Sequence, residues 1–196
     1  MEMDETPQLD ALDETMVRMY RGGLLIAAAA LLASGASQLV FAIFLPHFVE
    51  AAHAWMKLMW VVLVYGVGMA VLNLHLYSKR ARWGIQGGAW LGVLLMLAAF
   101  VMSSPTGSWW VFHAGLAFVF AALSGLVLQE RAAFALPGLR AVPVLLVASL
   151  VPLVAGWWVA AGSLLVVAGV LLGVLAVAKY RKPLQFDVGD KTRYQV

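Results

Sequence analysis

The chain has 196 residues, 63% of them hydrophobic and 12% charged, with a formal net charge of +3. Its mean hydropathy is +0.90; soluble domains are about half apolar and a quarter charged, so a lipid bilayer is the solvent that suits this composition. The absence of cysteine excludes disulfides, thiolate metal sites and iron–sulfur ligation, and basic residues confined to short loops and one tail point to lipid headgroups rather than nucleic acid.

Six apolar segments of about 20 residues, the length that crosses a ~30 Å hydrocarbon core, take up most of the chain. The expected class is all-α: a polytopic membrane protein with six transmembrane helices and both termini on the inner side. Residues 1–22 form an expected cytoplasmic N-terminal segment. In it Leu9, Leu12, Met16 and Met19 recur at helical spacing and predict a short helix lying on the inner surface. Span one covers residues 24–45 and is closed by Pro46, which lacks a backbone donor. Arg18, Arg21 and the small residues Ser34, Gly35 and Ala36 imitate a signal peptide, but the apolar run continues to Leu45, so a retained first span is expected.

His47, Glu50 and His53 follow, three apart. Each step turns a helix by about 300°, so the two histidines diverge by roughly 120°, and a wet interfacial helix is expected there rather than a metal site. Span two covers residues 58–77 and ends at Lys79, Arg80 and Arg82; span three covers 83–102, before a turn containing Pro105 and Gly107. Span four covers 109–128, and Gln129, Glu130 and Arg131 lead into a loop with Pro137 and Gly138. Span five covers 141–155, and a very tight turn at Gly156 joins it to span six, residues 157–178. Residues 23–178 thus form the expected bundle and residues 179–196 a cytoplasmic tail.

Twelve of the thirteen Lys and Arg residues fall on one side of this pattern; Lys57 alone falls on the other. Loop Lys and Arg bias orientation, so both termini are expected in the cytoplasm of a bacterial cell, with the bundle in the inner membrane. Trp60, Trp109, Trp110, Trp157 and Trp158 mark the outer starts of spans two, four and six, where amphipathic indoles prefer the interface.

Small residues recur four apart at Gly84, Gly88 and Gly92, at Ala117, Ala121 and Gly125, and at Gly169 and Gly173. Such stripes let helix backbones approach closely, and helix packing is expected along them. No Asp, Glu, Lys or Arg lies in the middle of any span. Proton relays and ion-coupled carriers need such groups, each costing at least ~2.5 kcal/mol at depth, so a pump or antiporter is disfavoured.

His75 lies near the inner end of span two and His113 near the outer start of span four. Their depths differ by roughly 20 Å, which excludes one haem held by both, while axial ligation by either alone stays open beside simple helix-to-helix hydrogen bonding. Polar groups gather at the inner face: Asn73 and His75, Gln86, Gln129 and Glu130, then Asp187, Asp190 and Lys191. Glu130 stands out, because a carboxylate at a helix C-terminus opposes the helix dipole unless a cation such as Arg131, Arg82 or a tail lysine offsets it. No nucleophile–base pair, phosphate-cradling loop or HExxH pattern accompanies it, so catalysis is not expected.

Three segments carry a resemblance: Leu74-His75-Leu76-Tyr77; Phe120-Ala121-Ala122-Leu123-Ser124-Gly125 continuing through Glu130 to Phe134; and Asp187-Val188-Gly189-Asp190-Lys191. Together they resemble a bacterial integral-membrane family catalogued as a domain of unknown function. Its pattern has a His-aliphatic-Tyr, a Phe-Ala-Ala-Leu-Thr-Gly followed by Lys-Glu, and an Asp-Ile-Gly-Asp-Lys tail. Ser124 here replaces Thr, and Gln129 replaces the Lys before Glu130, so that position cannot supply Glu130 with an ion pair. The resemblance implies the multi-pass fold and interest in the inner face, and names no chemistry.

The expected role is a non-enzymatic accessory, assembly or scaffold subunit that binds a membrane complex, a lipid or a pigment-like ligand. The expected partners are the bilayer and a larger membrane complex or further copies of the chain. A small transporter or channel for a neutral or weakly polar solute is the alternative, and a haem-binding redox subunit through His75 or His113 is a third.

Overall fold

A computed structural model describes residues 10–45, 47–74, 79–134 and 136–188, and all regular structure among them is helical. α1 (Ala11–Phe44) opens with a capping box: the Asp10 carboxylate accepts from the Asp13 amide at 2.8 Å, and that of Asp13 accepts from the Asp10 amide at 3.3 Å. Each satisfies an amide that has no carbonyl one turn earlier. The helix runs 34 residues without a break, a rod about 51 Å long against a ~30 Å hydrocarbon core. The stretch around Leu12, Met16 and Met19, expected as a separate surface helix, is therefore the first part of α1.

α2 (Val49–Leu72) likewise absorbs most of the interfacial helix expected after Pro46. α3 (Lys79–Val101) and α4 (Pro105–Ala133) are joined by a short turn in which the Ser104 hydroxyl accepts from the Gly107 amide at 3.2 Å. Pro105 occupies the first turn of α4, where a missing amide costs no helical bond. The Ser108 hydroxyl donates to the Ala99 carbonyl at 2.7 Å, tying the start of α4 to the end of α3. α5 (Ala141–Ala155) stops at Gly156, whose φ of +73° is left-handed and suits a residue without a Cβ. The Trp157 amide then reaches back to the Pro152 carbonyl at 2.8 Å, which makes the expected tight turn into α6 (Trp158–Tyr180). A four-residue α7 (Gln185–Val188) follows.

Among the described residues, five helices are long and apolar enough to cross a membrane: α1, α2, α3, α4 and α6. α5 has 15 residues, about 22 Å of helix, which alone is short of ~30 Å. Its two ends nevertheless face opposite ends of the bundle, because Arg140 lines a cleft with Arg131 at one and Leu153 lines a cleft with Trp109 at the other. The chain is thus a polytopic membrane protein of six side-by-side apolar helices.

The helices form an arc in the order α2, α1, α6, α5, α4, α3, and α2 touches α3 and α4 more thinly to close it. Backbones meet most closely at glycines facing glycines. A Cβ on Gly35 would stand 2.6 Å from the Gly162 carbonyl oxygen, one on Gly92 2.7 Å from that of Gly115, and one on Gly23 2.6 Å from that of Gly66. Small-residue contact replaces the hydrophobic drive that lipid does not supply. Of the expected stripes, Gly92 and Gly169 lie at such seams, the latter against Leu32. Gly125 meets the Ile85 side chain and Gly173 only brushes Ala28, whereas a Cβ on Gly84 meets nothing within 4 Å and one on Gly88 only the Phe118 carbonyl at 3.9 Å. Ala117 is half-buried and Ala121 exposed; the working face of α4 there is Gly115, Val119 and Ala122. Outward, Val167, Val170, Val174 and Val177 form an exposed apolar stripe of α6, as a lipid-facing surface requires.

Candidate functional site

Both ends of the described chain lie at one end of the bundle, called here the termini end, and a buried ion network ties them together. Tyr20 and Arg21 are neighbours on α1, Glu130 is in the last turn of α4, Lys179 in the last turn of α6, and Asp187 in α7. The Tyr20 hydroxyl donates to Glu130 Oε1 at 2.5 Å, and Lys179 Nζ donates to Glu130 Oε2 at 2.7 Å. Lys179 also pairs with Asp187 Oδ1. Asp187 Oδ2 accepts from Arg21 Nε at 2.6 Å and lies 2.5 Å from Nη2. The same guanidinium donates to the Lys182 carbonyl at 2.8 Å and to the Pro183 carbonyl at 2.9 Å.

Adjacent helix positions diverge by about 100°, which lets Tyr20 reach α4 while Arg21 reaches the segment after α6. The dipole conflict at Glu130 is offset by Lys179, itself favourably placed at the C-terminus of α6. Two carboxylates face two cations, so the cluster carries no net charge. Its members are deeply sheltered: Lys179 is 2%, Arg21 3% and Glu130 7% exposed. Lys179 Nζ also stands 4.8 Å from the centre of the Tyr20 ring and 5.4 Å from that of Phe134, a cation–π arrangement that lowers the cost of a sheltered ammonium. Phe134 in turn meets Phe186 of α7 edge-on at 5.4 Å. Chemically this is a clasp. All four carboxylate oxygens are engaged, and each links α1, α4 or α6 to another segment.

The structure brings Glu130 and Asp187 into one cluster through Lys179. Asn73 and Gln86 belong to the same end but not to the network: Asn73 Nδ2 donates to the Met69 carbonyl at 2.8 Å within its own helix, and Gln86 Nε2 donates to the Val71 carbonyl at 3.1 Å, bridging α3 to α2. His75, Asp190 and Lys191 lie outside the described residues. His113 sits near the start of α4, at the opposite end of the bundle; its Nδ1 lies 2.8 Å from the Trp109 carbonyl, and its ring lies against the Trp109 indole at 4.0 Å between centres, tilted by 49°. Tyr20 and Arg21 escaped the sequence reading as site residues, and Lys179 entered it only within the tail lysines named as partners for Glu130. Arg21 had shown only as a charge, although it stands within a turn of an apolar span, where a cation gains from a partner.

The family model described as "Uncharacterized integral membrane protein (DUF2301)" matches residues 39–196. An uncharacterized protein of Haemophilus influenzae is 28% identical over 188 residues, covering 96% of this chain and 95% of the relative. No solved structure matches the chain. The family match includes Glu130, Lys179 and Asp187; Tyr20 and Arg21 lie before it.

Proposed function

The chain belongs to the DUF2301 family of uncharacterized integral membrane proteins, and we propose that it serves as a non-enzymatic accessory, assembly or scaffold subunit. In this reading it resides in a bacterial inner membrane with both termini in the cytoplasm, and its termini end docks on a larger membrane complex. One observation carries it: the ionisable groups buried at that end are charge-balanced, mutually engaged and committed to fastening α7 onto the bundle. A saturated clasp specifies a shape, whereas a relay or transport site needs a titratable group with a free valence for its cargo. The clasp converts the chain after α6 from a tail into a fixed part of the termini-end surface, as a docking face requires.

The test is gentle extraction of wild type and of Asp187→Asn, which opens the clasp while leaving the membrane helices intact. A discrete membrane complex that co-purifies with wild type and is lost from the folded variant supports the proposal. Solute flux in vesicles holding the protein alone, abolished by Glu130→Gln, overturns it in favour of a transporter.

A further inference from the structure

At the far end of the bundle, opposite the clasp, the ends of five helices enclose a cleft of about 430 Å³. Its walls are aromatic: Trp60 from α2, Phe100 from α3, Phe112 from α4 and Trp158 from α6. Lys57 stands at its rim, exposed to solvent. Lys57 is the single basic residue of thirteen on this side of the chain's pattern, and among the described residues no carboxylate pairs with it. A cation kept where the orientation bias disfavours it, unpaired and beside an apolar cleft, calls for an anion that brings its own apolar body.

Among the polar side chains that line the cleft, His113 is held by its own helix: its Nδ1 faces the Trp109 carbonyl, which only accepts, so that nitrogen carries a proton. A lysine at the rim and aromatic walls below it match, in order, a phosphate and the apolar chains it carries.

We propose that this cleft binds an anionic phospholipid, with the phosphate at Lys57 and the apolar body among Trp60, Phe100, Phe112 and Trp158. The proposal deepens the accessory-subunit reading by naming a ligand. It concerns the opposite end of the molecule, so partner recovery and lipid binding are read on different variants and each can fail alone.

Native mass spectrometry of the full chain in mild detergent tests it, with phosphatidylglycerol, phosphatidylcholine and inorganic phosphate titrated in separate arms. Wild type is expected to retain phosphatidylglycerol in preference to phosphatidylcholine and to hold no inorganic phosphate. Lys57→Gln is expected to weaken phosphatidylglycerol binding roughly five-fold, the effect of one interfacial lysine. Lys57→Arg restores it, and Arg140→Gln at the other end leaves it unchanged. Equal retention by Lys57→Gln, equal loss with Arg140→Gln, or equal binding of phosphatidylcholine overturns the proposal, and binding of inorganic phosphate at the same affinity overturns the lipid in favour of a free anion.

Discussion

Arg21 shows how much one side chain organises here. Its guanidinium engages Asp187 and two backbone carbonyls just after α6, so Arg21→Met would leave two sheltered carboxylates sharing the single cation Lys179 and release that segment together. Removing one partner of a buried pair typically costs about 3–5 kcal/mol; thermal unfolding in detergent should fall accordingly. Adding Asp187→Asn to Arg21→Met should recover part of the loss, since the remaining Lys179–Glu130 pair is itself neutral. Tyr20→Phe removes one hydrogen bond to a charged acceptor and is expected to cost about 1.5–3 kcal/mol, with the ion pairs retained. Glu130 was legible from sequence because a carboxylate at the end of α4 opposes the local dipole. A tail lysine was expected beside it, but neither which one nor Tyr20 was legible, since Lys179 lies 49 positions and Tyr20 110 positions away and no local pattern encodes such separations. Asp187 came to notice among the polar groups at the inner face and again in the tail's resemblance to a family pattern, whereas Arg21 read only as one more cation before span one.

At the scale of helices, composition announces that small residues pack, but the rotation of each helix decides which of them do. Gly162→Ala places a methyl 2.7 Å from the Gly35 carbonyl and must push α6 from α1. The expected cost is about 1–3 kcal/mol, as for other overpacked interiors. Gly84→Ala meets open space, and should raise stability by up to about 1 kcal/mol through helix propensity alone. Thermal unfolding of the two variants side by side separates seam from surface; equal shifts of the same sign would contradict the packing described. The Gly84, Gly88 and Gly92 stripe spells one face by spacing, yet α3 turns only its Gly92 end into close contact with α4. Gly35, Gly115 and Gly162 have no small residue four positions away, so spacing could not single them out, whereas Gly23 and Gly66, with Ala27 and Ala70 four residues on, fit the spacing and were overlooked. What pairs them is the antiparallel register between two helices.

For the molecule as a whole, the orientation assigned by charge asymmetry is open to a direct measurement, because the chain has no cysteine of its own. Single cysteines placed by Leu12→Cys and Thr106→Cys occupy exposed positions at opposite ends of the bundle. In intact cells a membrane-impermeant maleimide is expected to label Thr106→Cys and spare Leu12→Cys until the membrane is opened. The reverse result would invert the topology without altering the fold. Apolar run lengths, proline and glycine stops and the alternation of loop composition determined by themselves that this chain is a multi-pass helical membrane protein. The reason is that hydrocarbon rejects unpaired amides, so each apolar stretch must become a helix whatever its neighbours are. The order of helices around the arc, the glycine pairs that close it, the reach of α1 beyond any membrane span and the clasp joining α1, α4, α6 and α7 were decided only in three dimensions. They depend on helix rotation and on contacts between distant segments, and lipid, being equally apolar on every side, leaves those to packing and to the pairing of charges.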